Sequence, residues 1–153
     1  MASSRRFAHA SFAILVAALL AVAEHSQAVP TTSARCSLTV KVTGLHDSDG
    51  NVRIAVRTAP TTTVQARAVD IDPNTLTATA TFDNLDAGTY GVAVFHDENK
   101  NGNLDFNDVG MPLEGYGHSN NPARRAGPPS FDETKFTLSQ PATSIEIELI
   151  YWP

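Results

Sequence analysis

From Ser37 the chain alternates with a period of two: Leu38, Val40 and Val42 on one side, Ser37, Thr39 and Lys41 on the other. Successive side chains of an extended strand point to opposite faces, so this pattern specifies a strand with one buried and one wet face and excludes a helix of period 3.6. The alternation recurs at Val52, Ile54 and Val56, and again at Leu76, Ala78, Ala80 and Phe82, where Thr77, Thr79 and Thr81 take the wet face. Between the first two runs, Asp47-Ser48-Asp49-Gly50 has turn chemistry and predicts a hairpin. A weaker strand over 64–71 closes at Asp72-Pro73-Asn74. Tyr90, Val92 and Val94 share one face of a strand whose other face holds Ala93 and Phe95, as suits a central strand between two layers. Residues 135–138 and 145–151 supply the last two strands, and no stretch carries a helical period. The expectation is all-β: about seven strands in an antiparallel β-sandwich.

Ahead of the strands, residues 1–28 have the layout of a secretory signal peptide. Arg5 and Arg6 precede an apolar run over 12–23, and Ser26 and Ala28 have the spacing a signal peptidase accepts, so cleavage is expected after Ala28. Ala21 and Ala23 offer a second cut, and the arginine pair leaves both general and twin-arginine export open. The apolar run, about a dozen residues, is shorter than the roughly 18–20 a membrane span needs, so a periplasmic or secreted chain without a span is expected. Residues 29–36 read as a flexible lead-in and 37–153 as one domain.

The formal net charge is −5, and loss of Arg5, Arg6 and Glu24 with the leader makes it one charge more negative. Nucleic acid and anionic membrane surfaces reward clustered Lys and Arg. After the leader only Arg124-Arg125 forms such a pair, so neither is expected as a partner. Cys36 is the single cysteine and cannot form a disulfide within the chain. The charge on Arg35 just before it is foreign to a lipid-attachment motif.

The rhythm of strands breaks over 97–132, a length uncommon for a structureless loop inside a domain. This segment carries Leu104, Phe106, Val109, Met111, Leu113, Tyr116 and Phe131, too apolar for a floppy linker. It opens with HDENKNGNLDFNDVG. Counting from Asp97 as position one, Asn99, Asn101, Asn103, Asp105 and Asp108 fall at positions three, five, seven, nine and twelve, with Gly102 at six. That is the spacing of a calcium loop, with Asp in place of the usual Glu at its end. Oxygens at alternate positions can curl round one centre, the glycine permits the sharp bend, and oxygen donors without thiolates or paired imidazoles favour calcium. Two asparagines among the donors lower the charge and point to a structural site of modest affinity. The competing reading is a plain hairpin on Asn101-Gly102. Since a strand enters the loop, the helix pair of an EF-hand is not expected.

Taken together, FDNLDAGTYGVAVFHDENKNGNLD, GMPLEGYGHSNN and GPPSFDETKF resemble the DUF2141 family of secreted bacterial proteins, whose function is unassigned. The resemblance extends over 38–151. Its turn of the form F-x-x-L-x-x-G-x-Y also looks like that of transthyretin-like and carboxypeptidase-regulatory sandwiches, which implies an Ig-like or transthyretin-like fold. The family has an aromatic where His118 stands, and its acidic pattern is firmest through Asp105. The resemblance therefore implies Asp97, Asn99, Asn101 and Asp105 ahead of Asp108, with Glu114 or water as the alternative closure.

Two function classes remain. One is a cation-stabilised, non-catalytic binding module for a protein, peptide or glycan, with Glu114, Tyr116, His118, Asn120 and Asn121 as candidate contacts. The other is a small hydrolase-like enzyme using His96, Glu114 and His118. No nucleophile elbow, zincin helix or spaced pair of metal histidines is present, and the chain ends ELIYWP rather than in the Tyr-Arg-Gly-Ser of the transthyretin-like hydrolases. No catalytic residue is assigned. His96 shares the parity of Val92 and Val94, which favours a structural histidine at a strand end.

Overall fold

A computed structural model describes residues 35–125 and 127–152. The leader, its cleavage point and the lead-in before Arg35 lie outside these residues. Eight strands and one helical turn follow in the order β1 (Cys36–Thr43), β2 (Asn51–Ala59), β3 (Thr62–Val69), β4 (Ala78–Leu85), β5 (Gly88–Asp97), β6 (Tyr116–His118), α1 (Phe131–Thr134), β7 (Phe136–Leu138) and β8 (Ala142–Glu148). They form two sheets, one ordered β4-β1-β8 and one ordered β3-β2-β5-β6, with β7 pairing β5 beside Gly88–Tyr90. The result is the expected β-sandwich.

The inward residues of both sheets are those the alternation picks out. Leu38, Val40, Val42, Ala78, Ala80, Phe82 and Ile147 meet Val52, Ile54, Val56, Tyr90, Val92 and Val94 across the interior, all buried. Burying each Val, Leu, Ile or Phe contributes about 1.5–3 kcal/mol, and this shared interior holds the sheets together.

Two pairings differ from expectation. The chain crosses from one sheet to the other between β1 and β2, so these strands do not form the hairpin that Asp47–Gly50 suggests. Period-two alternation says which face is buried but not which sheet supplies the neighbour; both strands point at one core from opposite sides. The last strand, β8, runs parallel to β1, with Val40 beside Ile145 and Val42 beside Ile147, so the sandwich is not wholly antiparallel. The long connection also holds more structure than its sequence declares. β6 pairs with Ala93–Phe95, and Tyr116 exchanges backbone hydrogen bonds with Ile150. Gly117 makes this packing possible, since a Cβ there would stand 2.8 Å from Ile147 Cγ2 and 3.0 Å from the Glu148 carbonyl. Among the described residues no helix is long and apolar enough to cross a membrane.

Phe82 is fully buried and among the largest such side chains. Phe82→Ala is expected to lower the unfolding free energy in a urea titration by about 3–5 kcal/mol, the sum of lost transfer energy and the cavity left behind.

Candidate functional site

β5 ends at Asp97, and the calcium-like spacing begins there. The Asp97 side chain is fully buried, and its Oδ2 accepts hydrogen bonds from Arg53 Nε at 2.9 Å and from the Gly102 N–H at 3.0 Å. Its Oδ1 is buried and accepts none. Two glycines make room around this residue. Gly50, at φ +68°, lies so close beneath the Asp97 backbone that a Cβ would be 2.0 Å from its carbonyl oxygen. Gly102, at φ +83°, lets the loop bend back over the Arg53 guanidinium, where a Cβ would be 3.2 Å from Nη2.

From Asp97 the loop curls by a succession of local side-chain turns. The Asn101 N–H donates to Asn99 Oδ1 at 2.9 Å and the Asn103 N–H to Asn101 Oδ1 at 2.7 Å, the Asx geometry that closes a backbone turn. Both amides then reach Asp105: Asn99 Nδ2 donates to Oδ2 at 2.7 Å, and Asn101 Nδ2 donates to Oδ1 and Oδ2 at 3.1 and 2.9 Å. Thus positions three, five and nine meet one another, while position one faces Arg53. Asn103 Nδ2 bonds the Asn101 carbonyl.

Glu114 closes the curl from behind. It is buried, with Oε1 accepting from the Glu98 N–H at 3.0 Å and Oε2 from the Asp105 N–H at 3.1 Å, so one carboxylate ties both ends of the loop. Asp108 is exposed and, among the described residues, makes no hydrogen bond or ion pair. The polar role in that turn falls to Asn107, whose Oδ1 accepts from the N–H groups of Val109 and Met111.

The donor set can be tested for fit to a hard cation. Asp97 offers an orphaned buried oxygen, Asp105 a carboxylate, and each Asx oxygen of Asn99 and Asn101 keeps a second lone pair. Turning either amide over to aim its oxygen at Asp105 would undo the Asx turn that oxygen closes. Arg53 already supplies one positive charge to Asp97. Among the described residues no group of three or more His, Cys, Asp and Glu side chains is placed to hold a metal ion. A cation here would therefore depend on amide and backbone oxygens as much as on acids, which fits calcium better than a transition metal.

The three groups of the hydrolase reading do not meet. His96 is fully buried on the far side of Asp97, with Nε2 2.6 Å from the Asp49 carbonyl and Nδ1 2.8 Å from the Tyr151 hydroxyl. A carbonyl only accepts, so Nε2 donates to it, and the phenol completes the ring at Nδ1. Burial, together with the carboxylates of Glu98, Asp47 and Glu114, pushes the Tyr151 hydroxyl up to about 12, which keeps its proton in place. His46 stacks on the same phenol ring at 3.7 Å. Glu114 holds backbone, as above. Only His118 reaches a cavity.

That cavity, about 620 Å³, lies over the outer face of the β3-β2-β5-β6 sheet. Cross-strand register builds its floor. Ala66, Ala55, Ala93 and His118 stand in one row across the four strands, and Ala68, Arg53, Phe95 and Tyr116 in the next. Leu104, Phe106, Met111 and Pro112 from the loop line it, as do Arg125, Pro128 and Trp152. Trp152 Nε1 donates to the Tyr116 hydroxyl at 2.9 Å, and the Arg124 guanidinium covers the indole at 3.9 Å. Burial, reinforced by Arg57, draws the His118 imidazole down to about 4.

Asn120 and Asn121, by contrast, hold backbone. Asn120 Nδ2 donates to the carbonyls of Glu133 and Lys135, while Asn121 takes the Glu148 N–H and donates to the Glu146 carbonyl. Sequence reasoning did not single out Arg53, Arg57, the alanine row or Asn107. The available signal was arginine and alanine alternating on the wet face of β2, with alanines at every second residue, Ala66 and Ala68, of β3.

Fold and site together define a small all-β sandwich whose longest connection is tied down by acids and amides over an outer-face cavity. Residues 40–146 match the family described as uncharacterized proteins conserved in bacteria, DUF2141, and the chain belongs to that family. No curated protein and no solved structure matches it.

Two outcomes follow from the site's geometry. Because the folded His118 titrates near 4 rather than 6.5, the unfolded chain binds the extra proton between those values. Its contribution to stability is complete above about pH 6.5 and is lost as pH falls through about 4. Stability measured against pH should show that loss, and His118→Gln should flatten it. Glu114→Ala leaves two N–H groups without an acceptor and is expected to cost about 1–3 kcal/mol, with faster amide exchange at Glu98 and Asp105.

Proposed function

We propose that the chain is a secreted, non-catalytic binding module of the cell envelope whose 97–108 loop is a structural calcium site of modest affinity. Asp97, Asn99, Asn101, Asp105 and the Asn103 carbonyl would hold the ion, with Glu114 fixing the loop behind them. The observation that carries this reading is Asp97 Oδ1, a buried carboxylate oxygen without a hydrogen bond at the head of a loop whose Asn99 and Asn101 side chains converge on Asp105. An unpartnered buried acceptor costs about 1–3 kcal/mol, and a cation beside it would remove that penalty. The protein, peptide or glycan partner would meet the face that carries Tyr116 and His118. The hydrolase reading has no such support, because His96 and Glu114 face away from the cavity that His118 lines.

With a dissociation constant of roughly 10⁻⁴–10⁻³ M, about 10 mM calcium would stabilise the fold by about 1.4–2.7 kcal/mol. The melting temperature in calcium should then exceed that in EDTA by roughly 5–10 °C. Asp105→Asn should remove most of this difference. Identical melting curves with and without calcium would refute the site.

A further inference from the structure

The cavity has a composition unlike the rest of the molecule. In a chain of formal net charge −5, its lining includes Arg53, Arg57, Arg67 and Arg125 and no Asp or Glu. Two of these charges are already matched, Arg53 by Asp97 and Arg125 by a two-pronged pair with Glu133 at 2.8 and 2.6 Å. Arg67 lies over the Phe82 ring. Neither Arg67 nor Arg57 forms an ion pair among the described residues, but Arg57 alone of the four has a buried Nε without an acceptor, and its Nη1 reaches only the Pro60 carbonyl at 3.5 Å. Arg57 stands in the register row next to the alanines, opposite Gly91 on β5.

The floor is shaped by what is missing. Strand faces are commonly filled by β-branched and aromatic residues that pack on their cross-strand neighbours. Three adjacent alanines, Ala66, Ala55 and Ala93, instead leave a flat, shallow bed one side chain deep, between Phe95 and Tyr116 on one side and the Arg57 row on the other. Phe106, 55% exposed, and Trp152 both line the cavity. The volume lies within the range of small-molecule sites, which combine apolar walls with a few polar groups that fix orientation.

From these features we infer that the cavity binds a small amphipathic anion, a carboxylate or sulfonate carried on a flat apolar body, with the acid on Arg57 and the body over the alanine floor among the aromatic lining residues. Charge complementarity selects the acid, since Arg57 is the lining cation whose buried nitrogen lacks an acceptor. The bare floor selects the flat body. This gives the binding-module reading a ligand class and does not require calcium.

The test uses the full mature domain, with and without calcium, and two dyes that share a naphthalene–phenyl body. The first, 8-anilinonaphthalene-1-sulfonate, carries the acid; N-phenyl-1-naphthylamine does not. Trp152 is the only tryptophan of the chain, so its quenching reports occupancy of the cavity directly. The expected result is one sulfonate dye per chain, at least ~10-fold tighter than the neutral dye, with Arg57→Gln removing that preference and Ala93→Phe removing both. Ala55→Leu serves as a second filling variant, and unchanged melting curves show that each variant is folded. Equal binding of the two dyes, or sulfonate binding indifferent to Arg57→Gln, overturns the anion assignment and leaves an apolar pocket. Failure of both dyes to quench Trp152 overturns the cavity's role, while a calcium-dependent melting curve in the same samples would leave the loop reading standing.

Discussion

One buried carboxylate organises the functional end of this sandwich. Asp97 terminates the central strand of the larger sheet, where it can be buried only because Arg53 on the neighbouring strand matches its charge and Gly50 leaves space beneath its backbone. A lone buried carboxylate would be far too costly, whereas a paired and hydrogen-bonded one holds its neighbours in fixed geometry. Gly102 is drawn in by the same oxygen, so the loop is turned back over the sheet rather than projecting from it. The other face of the strand end is held equally firmly, with His96 clamped between the Asp49 carbonyl and the Tyr151 hydroxyl.

The cavity exists as a consequence. With the loop folded back, Leu104, Phe106 and Met111 line the cavity over the outer face. Glu114 keeps them there by bonding the backbone at both ends of the curl, and the Tyr116–Ile150 bridge fastens the return of the chain to its final segment. Arg53 therefore serves two regions at once: its guanidinium neutralises Asp97 while its strand position lies in the cavity floor. Through that one side chain the loop is anchored to the same strand that floors the cavity.

Much of this was legible in the sequence, and the limits have physical causes. Alternation at Leu38–Val42, Val52–Val56 and Ala78–Phe82 identified strands and their buried faces because a one-residue shift would expose every apolar side chain. It could not assign β1 and β2 to different sheets, since both bury the same kind of face against one core. The Asp-Asn-Asn spacing marked the loop, and the Asx turns at Asn99 and Asn101 are local interactions that spacing can foresee. Arg53 was not foreseeable in the same way: it lies 44 residues before its partner, and only the β2–β5 register brings the two together. The alanine row is likewise a product of two strand pairings, β3–β2 and β2–β5, and the alternation along any one strand marks only its own member.

The central claim is that Asp97 fixes the loop to the sheet rather than merely ending a strand. Hydrogen–deuterium exchange of Asp97→Ala against the unaltered domain, both without calcium, tests it most directly. Loss of protection confined to 98–115 and the adjoining 46–51 turn, with 36–43 and 78–85 as protected as before, is the predicted result. Unchanged protection in 98–115, or an even loss across both sheets, would contradict the account.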